Sequence, residues 1–305
     1  MQYEYPLKCS LLVSTSDNYQ CAWYPYFELI KIYWKNHPKS IFLNCETKGY
    51  IDESLNIQII YGGREKTWSE RLYNCLKQIR TDYIIFSLED FFLTGQVDDD
   101  AIEQCVKWMD ENKEIAECRL KSSNLKCLQI KDAYGRFRIA NSDTPYRLDT
   151  QVAIWRKKDL LGFLNKKEDP WHFETDGTQR IKDSKKIFLW LYADDEEDET
   201  KMIFPYHINQ RCGYGIAWGR WLWNNKKLFE KNKIMNVDYK SIGVLSEKAV
   251  KRRFKYLYRA GRRPVGGIEK YIQKVYRIID RIEKGMILIR LYGGEEGVKR
   301  IRDRI

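Results

Sequence analysis

Residues Asp82 to Leu88 (DYIIFSL) form an almost unbroken apolar run of strand length, and two carboxylates, Glu89 and Asp90, stop it. A run of that length without polar alternation is the pattern of a strand covered on both faces, which is the situation inside a parallel sheet with helices on each side. The segments before it agree. Lys8 to Ser14 (KCSLLVS), Ser40 to Asn44 (SIFLN) and Asn56 to Tyr61 (NIQIIY) read as further strands. Between them Trp23, Phe27, Ile30 and Trp34 recur at helical spacing, and Trp68, Leu72, Cys75, Leu76 and Ile79 make one apolar stripe opened by the capping pair Thr67 and Glu70. Strand and helix in this rhythm predict an α/β fold with a mostly parallel central sheet flanked by helices.

In such sheets ligands sit beyond the carboxyl ends of the strands. Polar clusters at three of those ends, Thr15 to Asn18, Glu46, and Glu89 with Asp90, are expected to face one crevice. Asp98 to Asp100 open the next helix, with the stripe Ile102, Cys105, Val106 and Met109, and read as cap and dipole partners. From about residue 117 to 225 the pattern is less regular. No GxGxxG or GxxxxGK[ST] loop occurs, which argues against a dinucleotide enzyme or a P-loop NTPase.

Composition narrows the class. With 43% apolar and 32% charged residues over 305 positions, the chain can build a real core as one large domain with an appendage, or as two domains. No run approaches the roughly 18 to 20 apolar residues of a spanning helix. The opening residues lack a basic leader and cleavage site, so a cytoplasmic location is expected. Eight scattered cysteines without CxxC spacing read as buried thiols in a reducing compartment, and three separated histidines give no zinc pattern.

Three segments carry candidate chemistry. In SLEDFFL, adjacent carboxylates at Glu89 and Asp90 follow a buried strand; they either cap a turn or meet a cation, for which Mg or Mn bridging a diphosphate is suited by its preference for hard oxygen ligands. In Asp169 to Arg180 (DPWHFETDGTQR), read as a loop, Glu174 and Asp176 lie among aromatics, where a carboxylate can have a raised pKa and act as a general base. In Cys212 to Trp221 (CGYGIAWGRW) glycines alternate with aromatics beside Arg220, which either make a tight hairpin or clamp a phosphate next to a sugar ring.

The order SDNY, W..RL, YIIFSLEDFFL, WHFE and then the glycine–aromatic segment resembles bacterial nucleotide-sugar glycosyltransferases of the GT-A fold that build capsule, O-antigen and other surface polysaccharides. The resemblance covers roughly residues 8 to 225. It implies a donor, expected to be UDP-linked, held at the ends of the early strands, with Thr15, Asp17, Glu46, Trp68, Arg71, Glu89 and Arg220 in the donor site. It puts Asp90 as the metal ligand, in a motif that departs from the family's DxD, and Glu174 as the catalytic base of an inverting reaction with Asp176 as its understudy. The expected acceptor is a lipid-linked oligosaccharide. A sugar-phosphate nucleotidyltransferase is the alternative enzyme, expected to carry a glycine-rich basic loop after the first strand, which SLLVSTSDNYQ is not.

Charge separates the chain into two parts, residues 1–240 as the catalytic domain and 241–305 as a basic helical extension. From Ser246 onward there are 18 Lys plus Arg against 7 Asp plus Glu, so the whole net charge of +11 sits there, and the preceding residues balance at 36 of each. Amphipathic helices are expected around 248–263 and over 268–283. They could pack on the body or a second subunit, lie on an anionic membrane surface, or bind nucleic acid. Nucleic acid is not the expected partner, because the body offers no recognisable DNA- or RNA-binding motif. The acidic run Asp194 to Glu199 reads as a solvated loop.

Overall fold

The structure, a computed structural model, describes residues 3–196, 198–207 and 214–250. In chain order they form α1 (Tyr5–Lys8), β1 (Cys9–Ser14), α2 (Trp23–Tyr33), β2 (Ser40–Cys45), β3 (Ile57–Tyr61), α3 (Trp68–Gln78), β4 (Tyr83–Leu88), α4 (Asp99–Glu111) and β5 (Ile115–Ser123). Then come β6 (Gln129–Ile130), β7 (Phe137–Ile139), β8 (Ala153–Arg156), α5 (Lys157–Phe163), α6 (Pro170–Arg180) and β9 (Ile187–Tyr192). A further stretch holds β10 (Ile216–Ala217), β11 (Arg220–Leu222), α7 (Asn225–Lys231) and β12 (Val244–Leu245).

The expected α/β architecture is present. One sheet runs in the order β3-β2-β1-β4-β8-β5-β9-β7-β6. Its first four strands are parallel, β8 is antiparallel between β4 and β5, and β5 pairs parallel with β9. Alternate side chains divide between the two faces. Leu12, Phe42, Ile84, Phe86 and Trp155 join Trp68 and Leu72 of α3, Leu160 of α5 and Phe173 of α6 in one core, while Leu11, Val13, Ile85 and Ile154 are buried on the other side. Arg156 faces that second side and anchors α4 by donating to the carbonyls of Met109 (2.6 Å) and Asn112 (3.2 Å). Burial on both faces explains why the early strands read as continuous apolar runs.

The helix starts follow their signals. Thr67 Oγ1 accepts from the Glu70 amide at 3.1 Å and Asp98 Oδ1 from the Ala101 amide at 3.0 Å, caps of about 1 kcal/mol each. The segment read as a loop, Asp169 to Arg180, is instead helix α6: Asp169 caps the His172 amide at 2.9 Å and Pro170 occupies the first turn, where its missing N–H costs nothing.

The chain divides into two compact units, 1–207 and 208–305. In the second unit β10 and β11 form the hairpin that was one reading of the glycine–aromatic segment, turning through Trp218 (φ 49°) and Gly219 (φ 71°). That hairpin belongs with the residues after it: β11 pairs with β12, Trp221 Nε1 donates to Asp238 O at 3.0 Å, and Ala217 and Leu222 pack with Val250. The helices expected around 248–263 and over 268–283 fall outside the described residues from position 251 on. Among the described residues, no helix is long and apolar enough to cross a membrane.

Candidate functional site

Strand register determines what shares an edge. Ser14 of β1 pairs with Asn44 of β2 and Leu88 of β4, so Thr15, Glu46, Glu89 and Asp90 all leave the sheet at the same end. Phe86 of β4 pairs with Ala153 of antiparallel β8, so the residues entering β8, Asp149 to Val152, stand at that end too. The Thr150 amide and Oγ1 both donate to Glu174 Oε1, at 3.0 and 2.6 Å, which brings α6 to the same edge. Thus four strand ends and one helix converge, although Glu174 is about 85 residues beyond the acidic pair in sequence.

Apart from Arg220, the expected donor residues lie at this edge, with Thr15 bonded to Glu89 and Asp17 linked through Glu46 to Arg71. Thr15 Oγ1 accepts from Trp23 Nε1 at 2.9 Å and hydrogen-bonds Glu89. Asp17 is buried and accepts from the Glu46 (3.3 Å), Thr47 (3.0 Å) and Lys48 (3.1 Å) amides, from Thr47 Oγ1 (2.5 Å) and from Arg64 Nη2 (3.1 Å). Burial alone would push its carboxyl up, but the bonds from Thr47, Lys48 and Arg64 outweigh burial and hold it at about 2. Its oxygens therefore tie the β1 exit to the β2 exit. Glu46 closes the reciprocal contact, accepting from the Asp17 amide at 3.2 Å and pairing with Arg71 Nη1 at 3.5 Å. Arg71 can lie flat there because Gly62 has no side chain: a Cβ at that position would come within 2.5 Å of Arg71 Cγ. Trp68 is a core residue supporting the edge, donating from Nε1 to Ser14 Oγ at 3.0 Å and packing on Phe86 and Phe173.

Glu89 and Asp90 are both buried. Burial first and the neighbouring Asp90 charge second raise the Glu89 pKa well above its ordinary value, against a lowering hydrogen bond from Thr15. Two adjacent buried carboxylates offer the hard oxygen ligands that a divalent cation such as Mg takes. Among the described residues no three His, Cys, Asp or Glu side chains converge on a metal position, so an ion here would complete its shell with water and substrate oxygens, as Mg commonly does.

Glu174 and Asp176 part company. Two residues along a helix are about 200° apart, so they point to opposite sides. Glu174 faces inward, its pKa raised by burial and then by Asp149, whereas Asp176 is exposed. Arg220 lies exposed on β11 in the second unit.

One group of charges escaped the sequence reading. Glu117 and Arg119 alternate with apolar neighbours on β5 and share a face; Arg119 Nη2 pairs with Asp149 Oδ2 at 2.9 Å, and its guanidinium lies 3.2 Å over the Trp190 ring. Trp190 Nε1 donates to Glu117 Oε2 at 3.2 Å. The available signal was the period-two alternation of ECRLK, but its meaning depends on Asp149 and Trp190, which are distant in sequence. Smaller differences also appear. Cys127 is exposed where a buried thiol was expected, and Glu199, within the acidic run, receives His207 Nδ1 at 2.7 Å.

Burial pushes the Glu117 carboxyl up to about 8, with Arg119 pulling it down and Asp149 pushing it up. Its folded pKa exceeds the unfolded value near 4.5, so the folded state binds the extra proton between those two values and stability falls as pH rises through that window. We expect the melting temperature to decline from pH 5 to pH 8 and the decline to flatten in Glu117→Gln; an unchanged slope in that variant would exclude Glu117 as its source.

No family model matches the chain, and no curated protein matches it. Among solved structures it is similar to S. aureus TarS 1-349, at 13% identity over 93% of this chain and 81% of that one, with a TM-score of 0.39. It is also similar to the same protein in complex with UDP-GlcNAc, at 12% identity over 93% and 82% with a TM-score of 0.34. The bifunctional IspDF from Campylobacter jejuni matches at 16% identity over 65% and 55%, with a TM-score of 0.34. At these identities and TM-scores none of them assigns an activity to this chain.

Proposed function

We propose that the chain is a nucleotide-sugar glycosyltransferase, using a UDP-linked donor and inverting the anomeric centre. The observation that carries this reading is the shared edge: an inward, hydrogen-bonded Glu174 stands at the same strand ends as the Thr15–Asp17–Glu46–Arg71 patch and the Glu89–Asp90 pair. In this reading the patch holds the nucleotide, and Glu174 takes the proton of an acceptor hydroxyl. The oxygen attacks the anomeric carbon, the carbon–oxygen bond to the diphosphate breaks, and the nucleoside diphosphate leaves with the electron pair. Asp90, with Glu89, would hold a Mg or Mn ion, which when bound neutralises charge on the diphosphate.

The acceptor we favour is a lipid-linked oligosaccharide of surface-polysaccharide assembly. The placement we favour is peripheral, at the cytoplasmic face of the membrane. What supports both is the sequence beyond residue 245, which carries the entire net charge of +11 and would be drawn to anionic lipid.

A thermal-shift panel of UDP-, GDP-, CDP- and dTDP-sugars, each with Mn and with EDTA, tests the reading. Stabilisation by a UDP-sugar that weakens in EDTA is expected. No shift from any donor would overturn it in favour of a non-catalytic adaptor, and an undiminished shift in EDTA would remove the metal.

A further inference from the structure

Glu174 is held by a loop, and the loop is held by Arg119. Residues 146–151 connect to α6 at two points one helical turn apart: Thr150 donates twice to Glu174, and the Leu148 amide donates to Thr178 Oγ1 at 3.0 Å. Arg147 fastens the same loop beyond the helix, donating to the carbonyls of Ile181 (3.3 Å), Lys182 (3.4 Å), Ser184 (3.4 Å) and Lys186 (2.8 Å). Arg119 reaches the loop from β5, with Nη2 pairing to Asp149 at 2.9 Å and donating to Tyr146 O at 3.3 Å. Tyr146 has a positive φ of 53°, a conformation that persists in a non-glycine residue only where surroundings impose it. Both Thr150 bonds fall on Oε1, and among the described residues no hydrogen bond reaches Glu174 Oε2. The clamp therefore fixes one oxygen and leaves the other for chemistry.

We infer that Arg119, braced by Glu117 and Trp190, is a positioning residue for Glu174, acting through Asp149 and Thr150. The inference rests on the proposed role of Glu174 as base, and it concerns residues that reading does not use. The charged and titratable groups that act on Glu174 are Asp149 on the loop, which raises its pKa, and Arg119 on β5, which with Thr150 lowers it; Glu117 and Lys121, also on β5, act in turn on Asp149.

The test uses the full chain labelled with carboxyl-¹³C glutamate, the Glu174 resonance being identified by its loss in Glu174→Gln. Thr150→Val, nearly isosteric, is expected to raise the Glu174 titration midpoint. Arg119→Met is expected to lower kcat about tenfold or more with KM for the donor unchanged, and Arg119→Met/Thr150→Val is expected to be no slower than the slower single variant, because both break one relay. An unmoved midpoint in Thr150→Val, or fully additive losses in kcat, would overturn the inference. If Arg119→Met does not fold, an unmoved midpoint in Thr150→Val still overturns the inference, because the relay ends in that contact. The titration needs no turnover, so a wild-type protein inert toward every donor would sink the glycosyltransferase reading and leave the positioning claim to the resonance.

Discussion

A Glu174→Gln protein is expected to lose sugar transfer by a factor of about 10² to 10⁴, the usual contribution of a positioned general base, while its thermal shift with the donor stays as in wild type. The substitution is close to isosteric. Thr150 offers two donors to Oε1, from its amide and its hydroxyl, so the glutamine carbonyl oxygen is the atom that stays there and the NH₂ group takes the place of Oε2. An NH₂ group cannot accept the acceptor's proton. Folding should not suffer, because burial and Asp149 already disfavour the charged form of Glu174 and the amide removes that charge. Asp176→Asn is the control: Asp176 is exposed on the far side of α6, so near-normal turnover is expected. Single-turnover rates for both proteins check the pair, and full activity in Glu174→Gln would end the assignment.

The same base would give a rate that rises with pH. Its folded pKa lies above the ordinary glutamate value, so the active, deprotonated fraction grows as pH passes through that raised value and then levels. Stability runs the other way over the same range through Glu117, Asp149 and Glu174, whose raised pKa values all favour the protonated fold. Activity and stability would therefore have different optima, set by one buried cluster.

The strands were legible because burial on both faces leaves a local trace. YIIFSL needs nothing from the rest of the chain to read as an interior strand, and its register partner Leu11 to Ser14, like Ile41 to Asn44 on the far side of that strand, has the same character. The acidic pair after β4 was legible for a related reason, since carboxylates ending an apolar run need a compensating environment. Helix α6 was missed although its start signal, Asp169 before Pro170, was in view; the aromatics around Glu174 drew the reading to a loop. As a helix the segment separates Glu174 from Asp176, which no loop reading could do.

The Glu117–Arg119–Asp149 cluster was illegible for a deeper reason. A glutamate and an arginine on a strand of mixed pattern look like solvated residues, and only β9 alongside β5, with Trp190 under the guanidinium, shows them buried. Asp17 poses the same difficulty. SDNY after a strand gives the residue, but not that the chain 30 positions later turns its amides toward it.

Asp17→Ala is expected to have the largest effect on folding of any single change at this edge. Three backbone amides, from Glu46, Thr47 and Lys48, converge on one buried carboxylate, and alanine leaves them without an acceptor where water has little access. An unmet buried donor costs about 1 to 3 kcal/mol; with partial relaxation the total should be about 2 to 4 kcal/mol, or a melting temperature lowered by roughly 5 to 15 °C. Arg64 adds little to that figure, since it is largely exposed and its pairing is screened. The dependence on pH has a definite sign. Asp17 titrates at about 2 when folded, below its unfolded value, so its contribution is present above pH 4 and is lost as pH falls toward 2. The difference between wild type and variant should therefore be full at pH 7 and shrink in acid. Donor binding should fall as well, because Glu46 and Arg71 are oriented through the same contact. Asp17→Asn, which keeps one acceptor oxygen, should lie between the two. Calorimetric melts at pH 7 and pH 3 measure the effect, and an alanine variant that melts with wild type at pH 7 would show that the β1 and β2 exits are held together by something other than Asp17.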